Sequence, residues 1–266
     1  VLMILLGALG YGTFNARNPI VRSYEVTINK PFPAASNLRI VMLSDIHLGE
    51  LIGKKRLESI IEQVNQLNPD LVLLAGDILD ANVRPFIEEQ MGEAISILKA
   101  KYGVYGVVGN HEYIGGSVRS AIAELEKSGI IMLVDSYTTI AGDLYIVGRD
   151  DYSRNRYALL PRHALNQVMS GIDRTKPIIM MDHQPVQLNE AVSNGVDLML
   201  SGHTHRGQIF PNNLITQRVF EVDWGYFKKE QLQVIVSCGV GTWGPPIRLG
   251  NRPEIVEILV RFQNPG

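Results

Sequence analysis

Residues 38–49 read Leu-Arg-Ile-Val-Met-Leu-Ser-Asp-Ile-His-Leu-Gly, and this stretch carries the strongest signal in the chain. A short apolar run ends abruptly in Ser-Asp-x-His, so that Asp45 and His47 lie two positions apart. Because side chains alternate between the faces of a strand, these two can point the same way. Catalytic groups of α/β sheets gather at the carboxyl ends of strands. Alone the pair is weak evidence, because an aspartate in this position equally well caps the next helix.

Helical spacing and continuous apolar runs alternate through the first half of the chain. In order, the predicted elements are an edge strand at 23–30, the strand that ends at Asp45, a helix at 54–67, a strand at 71–75, a helix at 84–99, a strand at 104–108, a helix at 117–128 and a strand at 130–134. Strands that helices cover on both faces read as continuous apolar runs, as most of these do. The alternation is typical of an α/β sheet with helices on its faces.

The second half of the chain is less regular. It predicts strands at 143–147, 177–181, 196–200, 232–237 and 254–260, with helices at 161–169 and 185–193. No internal repeat, low-complexity tract or interdomain linker is visible. A chain of 266 residues, 45% of them hydrophobic, suits one large domain with a sizeable core.

Five of the predicted strands end in residues that can bind a metal ion. These residues are Asp45, His47, Asp77, Asn110, His111, His183, His203 and His205. Of the six histidines in the chain, only His163 lies elsewhere. Taken one at a time, each residue has an ordinary explanation, such as a turn former, a core histidine or a helix cap. The recurrence at five strand ends favours a metal site instead.

The residue types limit the metal. Carboxylate, imidazole and amide groups, in a chain whose one cysteine is Cys238, suit Mn, Fe, Zn or Co. Apart from His111, the candidate ligands are too many for one tetrahedral zinc and fit two ions that share a carboxylate. Two such ions bind phosphoryl oxygens and lower the pKa of a bridging water, which supplies a hydroxide nucleophile. The pattern therefore predicts a two-metal hydrolase that acts at phosphorus.

In chain order the motifs resemble those of the calcineurin-like metallophosphoesterases. The resemblance covers about residues 37–263 and rests on Asp45-x-His47, Gly76-Asp77-x-x-Asp80, Gly109-Asn110-His111-Glu112, His183 and Gly202-His203-x-His205. Three features are similar to the membrane-associated YkuE/YaeI-like branch: the apolar N-terminus, Asp-His-Gln-Pro at 182–185 and Gly-Pro-Pro-Ile-Arg-Leu-Gly-Asn-Arg-Pro-Glu at 244–254. The resemblance implies a four-layer αββα sandwich of mixed sheets with flanking helices, and a hydrolase of phosphoric ester bonds.

The resemblance also implies a role for each matched residue. The first metal ion would be bound by Asp45, His47 and His205, the second by Asn110, His183 and His203, and Asp77 would bridge the two. His111 would protonate the leaving oxygen or stabilise the transition state. Asp80 and Glu112 would orient imidazoles from behind the ligands. The two divalent ions would be Mn, Fe or Zn.

The N-terminus predicts contact with a membrane. Residues 1–12 are almost wholly apolar but too few to cross a bilayer, which needs roughly 20. A buried strand or helix is the alternative, and the three glycines in this stretch make a poor strand. Basic residues follow from Arg17, which by the positive-inside bias places the domain in the cytoplasm. We predict that 1–16 end a transmembrane or signal-anchor segment and that 17–266 form a single metallophosphoesterase domain of a bacterial, membrane-associated protein.

The substrate is less constrained than the reaction. Arg149 and Arg154 lie in a loop-rich region and are candidates for binding a phosphate, unless that loop is simply solvated. Aromatic residues between 206 and 243 would line an acyl or nucleobase pocket, lie at a membrane interface or form a minor core. With the apolar N-terminus they suggest a phosphodiester, pyrophosphate or phosphomonoester that is lipid-linked, such as UDP-2,3-diacylglucosamine or a phospholipid.

Two other functions stay open at this point. One is a non-catalytic metal-binding scaffold of the same fold, against which the intact ligand set argues. The other is a small-nucleotide phosphodiesterase or nuclease. The net charge of −2 gives no general attraction to nucleic acid, which we do not expect as a partner. The oligomeric state is not predicted.

Overall fold

Two six-stranded sheets lie face to face in the computed structural model, which describes residues 2–116 and 118–263. The described strands are β1 (Ile20–Ile28), β2 (Asn37–Leu43), β3 (Leu71–Ala75), β4 (Val104–Val107), β5 (Ile131–Met132), β6 (Ser136–Ile140), β7 (Leu144–Gly148), β8 (Ile178–Met181), β9 (Leu198–Ser201), β10 (Gly225–Lys229), β11 (Leu232–Val236) and β12 (Glu254–Phe262). The first sheet has the order β1-β12-β2-β3-β4-β5, and the second has the order β10-β11-β9-β8-β7-β6. Both sheets contain parallel and antiparallel pairs.

Ten α-helices are described besides the strands, and some of them cover the outer faces of the two sheets. They are α1 (Leu2–Arg17), α2 (Lys54–Gln66), α3 (Arg84–Glu88), α4 (Met91–Ile95), α5 (Asn110–Ile114), α6 (Val118–Lys127), α7 (Arg154–Tyr157), α8 (Leu165–Val168), α9 (Leu188–Ser193) and α10 (Asn213–Val219). Apolar residues of α2, α4 and α6 pack against the first sheet, and those of α8 and α9 pack against the second. The predicted four-layer α/β sandwich is confirmed.

Strand β2 shows why the central strands are apolar throughout. Ile40 and Met42 point into the core between the two sheets, whereas Val41 and Leu43 point into the core beneath the helices. All four are buried because alternate residues of a strand face opposite sides and both sides are covered. Burying each such side chain contributes about 1.5–3 kcal/mol.

The strand directions bring the carboxyl ends of several strands to one edge of each sheet. Strands β2, β3 and β4 are parallel neighbours in the first sheet. Strands β7, β8, β9 and β11 are parallel neighbours in the second. The loops that follow these strands therefore meet at one end of the sandwich, where ligands bind in open α/β sheets.

Some predicted elements differ from the observed ones. The helix expected at 84–99 is two short helices, because Gln90 adopts a left-handed conformation with φ 54° and ends the first. The helix expected at 161–169 is reduced to α8. Strands β6 and β10 and helix α10 were not predicted, since each is short and falls between stronger patterns. The predicted start of the 117–128 helix, Ser117, lies outside the described residues, and α6 begins at Val118.

Helix α1 forms from the apolar N-terminal stretch. Most of its large apolar side chains are exposed: Leu2, Met3, Ile4, Leu5, Leu6, Leu9, Tyr11 and Phe14. Its buried residues are Gly12, Asn15 and Ala16, near its C-terminal end. Among the described residues, no helix is both long enough and apolar enough to cross a bilayer. That residues 1–16 end a membrane segment stays a prediction, and Val1 lies outside the described residues.

Candidate metal centre

The predicted ligands lie on loops that leave both sheets. Four of them follow strands β2, β3 and β4 of the first sheet: Asp45, His47, Asp77 and Asn110. The other three follow strands β8 and β9 of the second: His183, His203 and His205. The structure brings all seven together with His111, and their atoms fall into two groups around Asp77.

Asp45, His47 and His205 form the first ligand group. One nitrogen or carboxylate oxygen of each lies within 4.8 Å of the others. Nε2 of His205 lies 3.0 Å from Nε2 of His47 and 3.5 Å from Oδ1 of Asp45. Two imidazole nitrogens and a carboxylate oxygen thus converge on one point, an arrangement that fits a divalent cation.

Asn110, His183 and His203 form the second ligand group. Oδ1 of Asn110 lies 3.2 Å from Nε2 of His183 and 2.7 Å from Nδ1 of His203. Nδ1 of His183 lies 2.9 Å from the carbonyl oxygen of Ala75, which accepts its proton and leaves Nε2 free for a metal.

Asp77 lies between the two groups. Its Oδ2 is 3.2 Å from Nε2 of His183 in the second group and 3.8 Å from Nε2 of His47 in the first. The structure therefore places this carboxylate where a bridging ligand would have to be. That the seven residues bind two ions stays a prediction, which this geometry supports.

The backbone of the centre is strained. Five of the seven residues have positive φ: 51° at Asp45, 53° at His47, 47° at Asp77, 71° at His203 and 47° at His205. Residues other than glycine rarely adopt this conformation, which costs on the order of 1–3 kcal/mol each. Such strain persists where surrounding contacts hold the chain, and it is concentrated here at the candidate ligands.

Two glycines at the strand ends leave room for ligands from the neighbouring loops. A Cβ atom on Gly109 would collide with Oδ1 of Asp77, and one on Gly202 would collide with Oδ2 of Asp45. Glycine is therefore required at both positions because of close approach.

Burial keeps three of the imidazoles neutral. It lowers the pKa of His47 to about 4, against the attraction of Asp77. Burial and repulsion from His183 lower the pKa of His203 to about 3. Burial, together with His47 and Arg248, lowers the pKa of His205 well below its usual value. Neutral imidazole is the form that binds a metal ion.

Three further candidate ligands, His183, Asp77 and Asp45, also have shifted pKa values. Burial opposes ionisation of both His183 and Asp77, but their mutual attraction outweighs it, so the pKa of His183 is raised and that of Asp77 is lowered. Burial raises the pKa of Asp45 to about 6. A divalent cation bound between these carboxylates would stabilise the ionised form of each.

His111 lies beside His47 of the first group and the shared Asp77. Its Nδ1 is 2.8 Å from Oδ1 of Asp80, and its backbone N–H donates to Oδ1 of Asp77 at 2.8 Å. Burial lowers the pKa of His111, but the hydrogen bond to Asp80 and the charges of Asp77 and Asp80 raise it above its usual value. One ring nitrogen also lies within 4.8 Å of ligand atoms of His47 and Asp77, so distance alone would also allow His111 as a ligand.

The two predicted supporting carboxylates behave differently. Asp80 contacts the imidazole of His111, and that it orients this ring stays a prediction. Glu112 instead accepts backbone N–H groups of Leu79 at 2.8 Å and Gly109 at 2.7 Å. It therefore joins the loops after β3 and β4, and no imidazole is among the hydrogen-bond partners described for it.

The two predicted substrate arginines lie elsewhere. Arg149 is buried and donates to the carbonyl oxygen of His163 at 3.0 Å. Arg154 donates to Oδ2 of Asp150 at 2.6 Å. Neither lines the cavity beside the ligands, so their predicted role gains no support from their position.

A cavity of about 360 Å³ opens beside the ligand groups. Asp77, Asn110, His111, His203 and His205 line its polar part. Ile114, Ile215 and Trp243 also line it, and we call these three residues the apolar rim. Ile215 is 61% exposed and Trp243 is 60% exposed. Sequence reasoning singled out Trp243 but missed Ile215, although Leu-Ile at 214–215 is an apolar pair in a polar segment.

Comparison with known proteins agrees with this geometry. The family model described as calcineurin-like phosphoesterase matches residues 38–207. An uncharacterised metallophosphoesterase of Aquifex aeolicus is 31% identical over 261 residues, which cover 97% of this chain and 97% of that protein. A transmembrane protein with a metallophosphoesterase domain from Danio rerio is 32% identical over 263 residues, which cover 94% of this chain and 60% of the relative. The chain thus spans about three fifths of that relative's length.

The structural likeness is more distant. A dimetal phosphatase from Danio rerio has a TM-score of 0.51 and 13% identity, over 79% of this chain and 89% of that chain. At this level of identity the likeness shows the fold alone. The family match, however, contains every strand end that carries a candidate ligand, from Asp45 to His205. The chain therefore belongs to the calcineurin-like phosphoesterase family.

Proposed function

We propose that this chain is a phosphohydrolase that uses two divalent metal ions and acts on a phosphoric ester with an apolar substituent. The observation that carries the proposal is the cavity, because candidate ligands and the apolar rim line the same space. A phosphoryl group at the ligands would leave its substituent beside Ile114, Ile215 and Trp243.

The donor set fits the proposed ions. Oxygen and nitrogen ligands without a thiolate suit Mn, Fe or Zn, and the two ligand groups meet at Asp77 as a shared site requires. When bound, two such ions neutralise charge on phosphoryl oxygens and lower the pKa of a bound water. Membership of the family supports the same reaction class, which is hydrolysis of a phosphoric ester bond.

His111 is the proposed proton donor. Its Nδ1 is engaged by Asp80, so Nε2 is the nitrogen left for proton transfer. The raised pKa of this imidazole keeps the proton available near neutral pH. Protonation of the leaving oxygen by such a group contributes typically 10²–10⁴-fold to the rate.

A membrane is the proposed source of the substrate. The exposed apolar side chains of α1 would be stabilised by contact with a bilayer surface, and Arg17 at its end would lie among headgroups. Similarity to relatives that are named transmembrane proteins supports this location. Phospholipids and lipid-linked pyrophosphates such as UDP-2,3-diacylglucosamine are therefore the first natural substrates to test.

The test is metal-dependent hydrolysis. Metal-free protein is reloaded with Mn²⁺ and assayed on bis-p-nitrophenyl phosphate and p-nitrophenyl phosphate. Asp77→Asn removes the carboxylate that both groups share. Substituting a residue that only contacts a metal ligand lowers activity by up to roughly 100-fold, and we expect a larger loss of activity here. His111→Ala should lose activity while binding two equivalents of metal.

Two matched variants control for nonspecific effects. Asp143→Asn and His163→Ala change the same residue types outside the cavity, and both should keep wild-type activity. Wild-type protein that binds no metal, or an Asp77→Asn variant with full turnover, would overturn the proposal. Two bound metals without hydrolysis of any phosphoric ester would favour the scaffold instead.

A further inference from the structure

Arg248 is fully buried, at 0% exposure, in the loop that follows Trp243. Within residues 2–116 and 118–263, it has no carboxylate partner among the ion pairs. A buried cation without an anion is costly unless hydrogen bonds satisfy it. Hydrogen bonds, and not a paired carboxylate, must therefore stabilise its buried guanidinium.

The guanidinium binds the backbone of the loop after β11. It donates to the carbonyl oxygens of Cys238 at 2.6 Å, Gly239 at 3.2 Å and Gly241 at 2.7 Å. Its Nη2 also lies 3.3 Å from Nδ1 of His205, a residue of the first ligand group. Arg248 thus ties residues 238–241 together beside this histidine.

Residues 238–241 in turn support Asp45 from behind. The backbone N–H of Gly241 donates to the carbonyl oxygen of Asp45 at 2.9 Å. The backbone N–H of Val240 donates to the carbonyl oxygen of Ser44 at 3.1 Å. A Cβ atom on Gly239 would lie 2.7 Å from Cβ of Asp45 and 3.3 Å from Nη2 of Arg248. No side chain fits at position 239 between Arg248 and Asp45. A shift of Arg248 would therefore move the loop and, with it, Asp45.

Asn251 completes the arrangement. Its Oδ1 accepts a hydrogen bond from Nη1 of Arg248 at 2.8 Å. Its Nδ2 lies 3.3 Å from the carbonyl oxygens of His205 and Arg206 and donates to both. One pair of side chains therefore contacts both the loop behind Asp45 and the backbone of His205.

The same segment is fixed from outside by α1. Nδ2 of Asn15 donates to the carbonyl oxygens of Arg248 at 3.0 Å and Asn251 at 2.6 Å. The backbone N–H of Arg248 donates to the carbonyl oxygen of Gly12 at 3.0 Å. Asn15, a buried polar residue of α1, thus connects this helix to the segment that supports the first ligand group.

We propose that Arg248, with Asn251, is a positioning residue for the first metal ion. It holds Asp45 and His205 at the separation that an ion requires. None of the hydrogen bonds described for its guanidinium reaches Asn110, His183 or His203, so the second ligand group does not depend on it directly. The inference rests on the proposed two-metal function and adds an asymmetry between the two sites.

The test compares Arg248→Met with Arg248→Lys in the full chain. Calorimetric titration of metal-free protein with Mn²⁺ measures the two affinities separately, and electron paramagnetic resonance reports the spin-coupled manganese pair. Loss of outer-shell support costs about 10–100-fold in metal affinity. We expect Arg248→Met to lose about 10–100-fold in Mn²⁺ affinity at one site and to keep the affinity of the other site within about twofold. The resonance signal of the coupled manganese pair should disappear. Arg248→Lys keeps a cationic donor and should retain part of the affinity.

Arg252→Met is the matched control, since Arg252 lies in the same segment and donates to the carbonyl oxygen of Asn18, away from both groups. Asn251→Ala should weaken the same site as Arg248→Met, and it serves as the test if Arg248→Met does not fold. Equal weakening of both sites, or unchanged binding in Arg248→Met and Asn251→Ala, would overturn the inference. In the second case wild-type turnover with two metals would leave the proposed function standing.

Discussion

The ligand groups and the apolar rim border the same cavity but differ in burial, backbone and chemistry. Asp45, His47 and Asp77 are buried and have strained backbones, and their positions depend on loops from both sheets. Ile215 and Trp243 of the rim are largely exposed and lie in the short helix α10 and in the loop after β11. The centre has little freedom to change, whereas the rim can vary without disturbing the fold.

This difference separates reaction from specificity. A change in the centre should affect every substrate, because in the proposed reaction all of them would use the same ions and the same proton donor. A change in the rim should affect only substrates whose apolar group reaches it. Three experiments test this separation.

Of these three experiments, the largest effect is expected for Asp80→Asn. Asp80 raises the pKa of His111, and His111 must carry its proton to act as an acid, so activity should fall as pH rises through that pKa. Removing the carboxylate lowers the pKa and moves this fall to lower pH. We expect a loss of about 10–100-fold in kcat at pH 8 on every substrate. A pH–rate profile measures both effects.

Asp143→Asn controls for the loss of an aspartate outside the cavity. An Asp80→Asn profile that is scaled down but unshifted would show that Asp80 does not act through the protonation of His111. A loss confined to one substrate would break the separation between centre and rim.

A smaller and selective effect is expected for Ile215→Ser. Losing apolar contact in a hydrophobic pocket costs about 1–3 kcal/mol, or roughly tenfold to 200-fold. Because Ile215 is largely exposed, we expect about a tenfold loss in kcat/KM for octyl p-nitrophenyl phosphate, at the low end of that range. The methyl ester should change less than about twofold, since its substituent does not reach the rim.

Leu159→Ser is the control, because Leu159 is exposed and does not line the cavity. Equal losses on the octyl and methyl esters would show that Ile215 supports the centre and does not select the substrate.

No modification of Cys238 is expected when the native protein is treated with a thiol reagent. Cys238 is buried behind the first ligand group, and burial raises the pKa of its thiol to about 12. The thiolate is the reactive form, so iodoacetamide at pH 8 should not modify the folded chain. Mass spectrometry should show one modification only after denaturation in urea. Fast labelling of native protein would mean that the loop at 238–241 opens, which contradicts a rigid centre.

Much of the centre could be predicted because local patterns and one general rule suffice for it. Apolar runs mark strands β2, β3, β4, β8 and β9, and the carboxyl ends of parallel neighbours must meet. Polar residues that follow such runs, such as Asp77 and His183, are therefore brought together whatever the details of the loops. The break at Gln90 was missed because helical spacing continues across it.

Other contacts have no local signal. Strand β12 lies between β1 and β2, parallel to one and antiparallel to the other, although it is the last strand described. Arg149 reads as an exposed loop cation but is buried, whereas Ile215, which no pattern singles out, is exposed at the cavity. Burial of this kind depends on which distant segments pack together, and periodicity carries no information about that.

By itself the sequence determined the layered α/β fold, the candidate ligands and the reaction class, because strand periodicity and ligand chemistry are local properties of residues. The resemblance to the family implied which ligands share a group and that Asp77 lies between the groups. Only the tertiary structure decided that the apolar rim borders them. It also decided that Arg248, 43 residues after His205, lies against its imidazole. These facts arise from contacts between segments far apart in the chain, and such contacts form only when the two sheets and α1 pack together.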